Sequence, residues 1–270
     1  MKFNVVTGLP RSGSTLFCNI LNQNPRFFAS STSNLIYIAN SIITSWSSSV
    51  EMKNLLGIEK GKTEKRMQDS LRQFVEGWYG VEHKDVIFDK SRGWTLNYLM
   101  LQNLFPDSKL LVLVRDIRNV FSSIEKQYRK NPLLDDTPTS VGKTVYHRAD
   151  HMFSPEGIIG SSIVGVEDLI RRRKSQNILF VFYEELSINP EKSMKQVYDF
   201  IGEGYFAHDF DNIVNTAIDP DSFYLNKFPH EGSGKILPTD VDEWKNFFSA
   251  DLATTIMERF PLYNSFFGYK

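Results

Sequence analysis

Cysteine is nearly missing from this chain of 270 residues: Cys18 stands alone. A disulfide within the chain is excluded, and a thiolate zinc site lacks ligands. Histidine is sparse as well. His83, His147, His151, His208 and His230 show no zinc-protease spacing, and no metal is expected. An excess of either charge is also missing, with 31 basic against 32 acidic residues. Global charge therefore points to no nucleic-acid partner and no membrane partner, and any anion-binding site has to be local. No run approaches the ~18 apolar residues that cross a bilayer. The opening stretch from Met1 to Gly8 enters a strand without the apolar core of a signal peptide, so a cytoplasmic protein is expected. Repeats, low-complexity segments and breaks in composition are absent, which reads as a single domain over residues 1–270.

What is present is an alternation of short apolar runs and helical patterns. Lys2 to Thr7, Val86 to Phe88, Lys109 to Val114 and Asn177 to Phe182 read as strands. The continuous run Leu110-Leu111-Val112-Leu113-Val114 suits a central parallel strand covered on both faces. Helical spacing covers Ser14 to Asn22, Leu35 to Trp46, Lys65 to Tyr79, Asp116 to Tyr128, Ile158 to Lys174, Glu191 to Ile201 and Leu252 to Phe260. Thr95 to Phe105 joins them, with Leu96, Leu99, Met100 and Leu104 on one face, and Trp244 to Phe248 is a further helical stretch. Asn131 to Ser140, rich in Pro, Asp and Thr, reads as a mobile loop. The basic run Arg171-Arg172-Arg173-Lys174 suits a helix C-terminus. Strands alternating with helices predict an α/β layer fold with a mostly parallel sheet.

The most informative stretch is Gly8-Leu9-Pro10-Arg11-Ser12-Gly13-Ser14-Thr15. It follows a strand, opens a helix and nearly fits the Walker A pattern, with Ser14 where that pattern has lysine. Backbone N–H groups at the helix start still favour an anion. The lost lysine is the group that reaches the β- and γ-phosphates, so work on a γ-phosphate is poorly supported. Arg11 supplies positive charge with a planar fork of donors. Further on, Arg115 ends a buried strand, at the carboxyl edge where ligands of α/β proteins bind, and Ser123 lies two turns into the next helix.

The loop resembles the 5′-phosphosulfate loop of sulfotransferases that use PAPS (3′-phosphoadenosine-5′-phosphosulfate), in the form found in the tyrosylprotein and carbohydrate members. Three more segments resemble family motifs in the same order. They are Phe88-Asp89-Lys90-Ser91, Val112 to Arg118 with Ser123, and Val181-Phe182-Tyr183-Glu184-Glu185-Leu186 with Pro190 beyond. Gly234-Lys235-Ile236, with Trp244-Lys245 downstream, is a weaker fifth. The resemblance implies a P-loop-like three-layer α/β fold, with PAPS as donor, its desulfated form PAP (3′,5′-adenosine bisphosphate) as product, and no metal. It implies that Arg11, Ser12, Gly13, Ser14 and Thr15 hold the 5′ end, and that Arg115 and Ser123 grip the 3′-phosphate. Tyr183 would sit near the adenine, Lys235 would touch a phosphate, and Arg11 and Lys90 would stabilise the leaving oxygen.

One part of the pattern is missing. Tyrosylprotein sulfotransferases place a glutamate base shortly after the first helix, at or next to Thr32 here, and no carboxylate occurs between Asn22 and Val50. His147, foremost, with Asp150, His151 and His230, are the replacement candidates for the base. Trp46, Trp78, Tyr79 and Tyr146 are candidates for an acceptor pocket. The acceptor is a hydroxyl on a small molecule, carbohydrate, lipid or peptide. A P-loop kinase and a non-catalytic nucleotide-binding relative stay open as alternatives.

Overall fold

A computed structural model describes residues 1–130, 144–172, 176–217, 219, 229 and 232–270. The expected loop from Asn131 to Ser140, the pair Arg173-Lys174 and His230 lie outside the described residues. In chain order the elements are β1 (Lys2–Gly8), α1 (Ser14–Leu21), β2 (Phe27–Thr32), α2 (Leu35–Ser48), α3 (Val50–Gly80), β3 (Val86–Lys90), α4 (Tyr98–Leu104), β4 (Leu110–Val114) and α5 (Ile117–Lys130). Then come α6 (Val145–Met152), α7 (Gly160–Arg171), β5 (Ile178–Phe182), α8 (Tyr183–Ile188), α9 (Pro190–Ile201), α10 (Ala250–Arg259) and α11 (Pro261–Phe267).

The five strands form one sheet in the order β2-β3-β1-β4-β5, and every pairing is parallel. Because side chains alternate across a strand, each buried strand feeds two cores. Phe3, Val5, Leu110, Val112 and Val114 pack on one face with residues of α2 to α7, α10 and α11. Val6, Leu111 and Leu113 pack on the other with α1, α8 and α9. The result is a three-layer α/β fold. Among the described residues no helix is long and apolar enough to cross a membrane.

Several expectations change on contact with the structure. Phe27–Thr32 is a strand, although Phe27-Phe28-Ala29-Ser30-Ser31-Thr32 has too few apolar residues to look like one; it gains its ladder as the edge strand against β3. Helix α3 runs back to Val50 and is broken at Glu59 (φ −136°, ψ 54°). Of the apolar face predicted over Thr95 to Phe105, Met100 and Leu104 do pack on the core, but Leu96 and Leu99 do not. A 3₁₀ turn at Arg92–Trp94 delays the helix until Tyr98, so Tyr98, Leu101 and Leu104 turn inward, and Leu96 and Leu99 are 66% and 58% exposed. Trp244 sits in a short 3₁₀ turn at Glu243–Asn246.

The sheet centre brings β1 against β4 with Gly8 level with Leu113. Gly8 has φ 133°, and a Cβ there would lie 2.0 Å from the Leu113 carbonyl oxygen. Gly8→Ala is expected to cost roughly 3 kcal/mol or more, combining a left-handed backbone with a backbone clash. Urea unfolding of the two proteins measures this, and an unchanged midpoint would mean that the strands do not approach so closely.

Candidate active site

The site begins where β1 stops. Leu9 N–H donates to the Leu113 carbonyl at 3.1 Å, and the Ser12 hydroxyl donates to the Leu9 carbonyl at 2.7 Å in full burial. Arg11 (φ 57°) and Gly13 (φ 82°) both adopt left-handed backbone, turning the chain sharply into α1. The first N–H groups of a helix have no carbonyl one turn before them, and no side chain caps α1. This is the positive end of the helix dipole, where an anion is stabilised.

On one side of the loop, residues far apart in sequence converge. Arg11 Nε donates to Ser123 Oγ at 3.1 Å, and its Nη1 donates to the Pro229 carbonyl at 3.0 Å. Arg115 Nη1 donates to the Arg11 carbonyl at 2.9 Å. The Arg115 guanidinium lies 4.5 Å from the centre of the Tyr183 ring, a cation–π contact. Tyr183 in turn rests on Gly13, where a Cβ would meet its ring at 2.4 Å. Thr239 Oγ1 is 3.4 Å and Glu243 Oε2 3.9 Å from Arg115 Nη2. The backbone of Arg115 is pinned as well, since Tyr263 O–H donates to its carbonyl at 2.9 Å. Glu184 accepts from the Asp116 N–H at 2.9 Å and from the Tyr269 hydroxyl at 3.1 Å, and burial pushes its carboxyl above the usual range.

Arg115 is 6% exposed, yet among the described residues its Nε has no hydrogen-bond partner. A buried guanidinium N–H left unpaired is costly, and a phosphate oxygen is an acceptor of the right charge and geometry to satisfy it. The residues present thus fit a nucleotide carrying phosphate at two places, one at the helix start and one beside Arg115.

The other side of the loop holds a buried ion pair. Lys90, at the end of β3, places Nζ 2.7 Å from Asp219 Oδ2 and 3.1 Å from Thr15 Oγ1. Thr15 Oγ1 also donates to Asp219 Oδ2 at 2.9 Å, and the Thr32 N–H donates to Oδ1 at 2.8 Å. The two charged side chains are 6% and 2% exposed. Burial works to raise the Asp219 carboxyl, but the Lys90 ammonium and the hydrogen bonds outweigh it and hold it at about 2. Asp219 is carried to this place by Asn19 of α1. The Asn19 side chain accepts from the N–H groups of Thr216 and Ala217 at 3.0 and 2.8 Å and donates to the Gly232 carbonyl at 2.7 Å.

The structure therefore brings together Arg11, Ser12, Gly13, Ser14, Thr15, Lys90, Arg115, Ser123 and Tyr183. Arg11 sides with Ser123 rather than with Lys90. Lys235 is exposed and paired with Asp211 at 2.8 Å. His147 and His151 are exposed on α6, and neither bonds to the loop, β3 or Arg115 among the described residues. Asp150 pairs with Arg259. Of the candidate pocket aromatics, Tyr79 is buried and bonded to Asp89, whereas Trp78 and Tyr146 are exposed and Trp46 packs between α2 and α3. Burial pushes the Cys18 thiol up to about 12, so it stays neutral. Sequence reasoning missed Asp219, Asn19, Glu184 and Tyr263. Glu184 lies inside the fourth motif but had no role assigned, and Asn19 left a trace as a polar residue one helical turn beyond Thr15 on the buried face of α1.

A parallel sheet whose central strand runs through a glycine loop into a helix, with buried cations beside that loop, defines a P-loop-like anion-binding protein. The Sulfotransferase domain model matches residues 4–261, and the chain belongs to that family. It is 28% identical over 216 residues to protein-tyrosine sulfotransferase 2 of Gallus gallus, covering 75% of this chain and 51% of the relative. The chain spans about half the length of the curated relatives it matches. Among solved structures, it shares its fold with the sulfotransferase domain of the Synechococcus PCC 7002 olefin synthase (TM-score 0.58, 18% identity, 98% of this chain and 94% of that one). It shares it too with mouse sulfotransferase SULT7A1 complexed with PAP (TM-score 0.54, 18% identity, 96% of this chain and 82% of that one).

The ion pair makes stability depend on pH in a defined direction. Asp219 has an ordinary value of 3.8 and is held at about 2 when folded. Its contribution is therefore full above about pH 5 and fades as pH falls toward 2. The stability advantage of the wild type over Asp219→Asn is expected to shrink by roughly 1 kcal/mol between pH 6 and pH 3. Urea midpoints at the two pH values measure it, and an advantage that stays constant would contradict the pairing.

Proposed function

We propose that this protein transfers a sulfuryl group from PAPS to a hydroxyl-bearing acceptor and releases PAP. The observation that carries the reading is the buried Nε of Arg115, which has no partner among the described residues, in a side chain bonded to the Arg11 carbonyl of the phosphate loop and stacked on Tyr183. A nucleotide with one phosphate cluster needs only the loop; a 3′,5′-bisphosphate needs both places. Family membership supports the same donor, and the name of the matching relatives supports a hydroxyl acceptor such as a protein tyrosine.

PAPS supplies an activated sulfuryl group when bound. The residues around it have positioning and electrostatic work to do. The amides at the start of α1 and the hydroxyls of Ser14 and Thr15 hold the 5′ end. Arg115, Ser123 and Arg11 hold the 3′ end, and the Tyr183 ring packs beside them. Lys90, within hydrogen-bond reach of Thr15, neutralises the charge that grows on the leaving phosphate oxygen. Its burial makes that charge count for more than it would in water.

Calorimetric titration tests the reading. PAP is expected to bind tightly with or without Mg²⁺, and ADP weakly under both conditions. Charge-assisted hydrogen bonds are worth about 1.5–3 kcal/mol each, so Arg115→Ala is expected to weaken PAP roughly 10- to 100-fold and leave ADP nearly unchanged. Lys90→Ala is expected to weaken PAP by a comparable factor, because its ammonium faces the 5′-phosphate and answers Asp219, and to lose most turnover even at saturating donor. Preference for ADP with Mg²⁺ over PAP would overturn the reading in favour of a kinase.

A further inference from the structure

We propose that Asp219 is the catalytic base of this site, released from Lys90 when the donor's phosphate takes that lysine as its partner. The proposal rests on the sulfuryl-transfer reading and adds to it the residue that accepts the acceptor's proton. Three observations carry it. Asp219 is the carboxylate that touches both Lys90 and Thr15, the residues read as holding the reacting end of the donor. It is bonded to the Thr32 N–H, so it brings a carboxylate to the stretch between Asn22 and Val50 that has none of its own. It is also buried, whereas the candidate bases on α6 are exposed and, among the described residues, make no bond to this side of the loop.

The electrostatics give the carboxylate a reason to change role. In the structure it is the counter-ion of Lys90. An anionic phosphate at Thr15 competes for the same ammonium and sets two negative groups side by side. Like charges that close raise the proton affinity of the weaker acid. Burial, which already works to raise Asp219, is then no longer offset by Lys90. The other titratable groups nearby do not take over. Cys18 stays a thiol. Asp89 is raised by burial and points to Tyr79 and to the Trp94 N–H, which donates to it at 2.6 Å.

The step balances as a proton transfer coupled to substitution at sulfur. The acceptor O–H bond breaks, and its proton goes to an Asp219 oxygen. The acceptor oxygen forms the new bond to sulfur as the bond between sulfur and the bridging phosphate oxygen breaks. That electron pair stays on the phosphate, where Lys90 donates a hydrogen bond. Solvent later takes the proton from Asp219, and no redox partner is involved.

The first test needs no natural acceptor. Wild type and Asp219→Asn are titrated with PAP at pH 6 in two buffers of different ionisation enthalpy, which reads proton uptake on binding. The wild type is expected to take up more protons than the variant, and the variant to bind PAP as tightly or up to ~10-fold tighter, because a competing anion is gone. A variant that binds PAP tenfold or more weakly, with unchanged proton uptake, would make Asp219 a structural strap and overturn the proposal. Failure of both proteins to bind PAP would instead remove the donor reading, and this proposal with it. The second test is PAP release from PAPS with 4-nitrophenol and with water as probe acceptors. A general base contributes roughly 10²–10⁴-fold, so Asp219→Asn is expected to fall at least 100-fold. Asp219→Glu is expected to recover part of the rate, with a pH profile shifted from that of the wild type. Equal release by wild type and Asp219→Asn would overturn the proposal.

Discussion

At the end of β1 the backbone of Gly8 passes so close to the Leu113 carbonyl that no side chain fits between them. That approach sets the height of the glycine loop against β4. It places Arg11 above the end of the strand from which Arg115 emerges, and the Arg115 side chain closes on the Arg11 carbonyl. Gly13 is constrained in the same way from the other direction, because the Tyr183 ring occupies the space that a Cβ would take. The loop is therefore wedged between β4 and the start of α8. Three strands deliver their ends to one small volume: β1 the loop, β3 Lys90, and β4 Arg115.

Two kinds of positive charge result, and they differ in readiness. Arg115 is buried with one donor unpaired, held by its backbone and by a ring. It is organised for an anion at the cost of an unsatisfied N–H. Lys90 is buried with its charge answered by Asp219. Breaking a buried pair by removing one partner costs about 3–5 kcal/mol, so an incoming phosphate must replace Asp219 rather than merely join it. The first arrangement favours tight, geometrically specific holding. The second favours exchange of one partner for another, as a reacting centre requires.

Much of this was legible in the sequence, for a local reason. The loop, the end of β3 and the end of β4 are short motifs whose strand and helix context can be read within a few residues. Arg115 and Ser123 come from one helix and its preceding strand, and both bond to Arg11. The fold class followed from alternation, since continuous apolar runs such as Leu110 to Val114 belong to buried parallel strands. What escaped depends on contacts between distant segments. Asp219 reaches Thr15, Lys90 and Thr32 across separations of 204, 129 and 187 residues, and nothing near position 219 announces it. The strand at Phe27–Thr32 escaped because its stability comes from pairing with β3 rather than from its own composition. The face of α4 was misread because a 3₁₀ turn shifted where the helix begins. Lys235 sits in a plausible basic segment, yet its charge is answered by Asp211 at the surface.

In the proposed function, two cation sites on either side of one loop hold the two ends of a 3′,5′-bisphosphate nucleotide. A crystal structure of the protein with PAP tests it most directly. The 3′-phosphate is expected on Arg115 Nε and Ser123, the 5′-phosphate at the start of α1, and Lys90 Nζ moved from Asp219 onto that phosphate. PAP bound with its 3′-phosphate in solvent, or with the Lys90–Asp219 pair intact beside the 5′-phosphate, would contradict it.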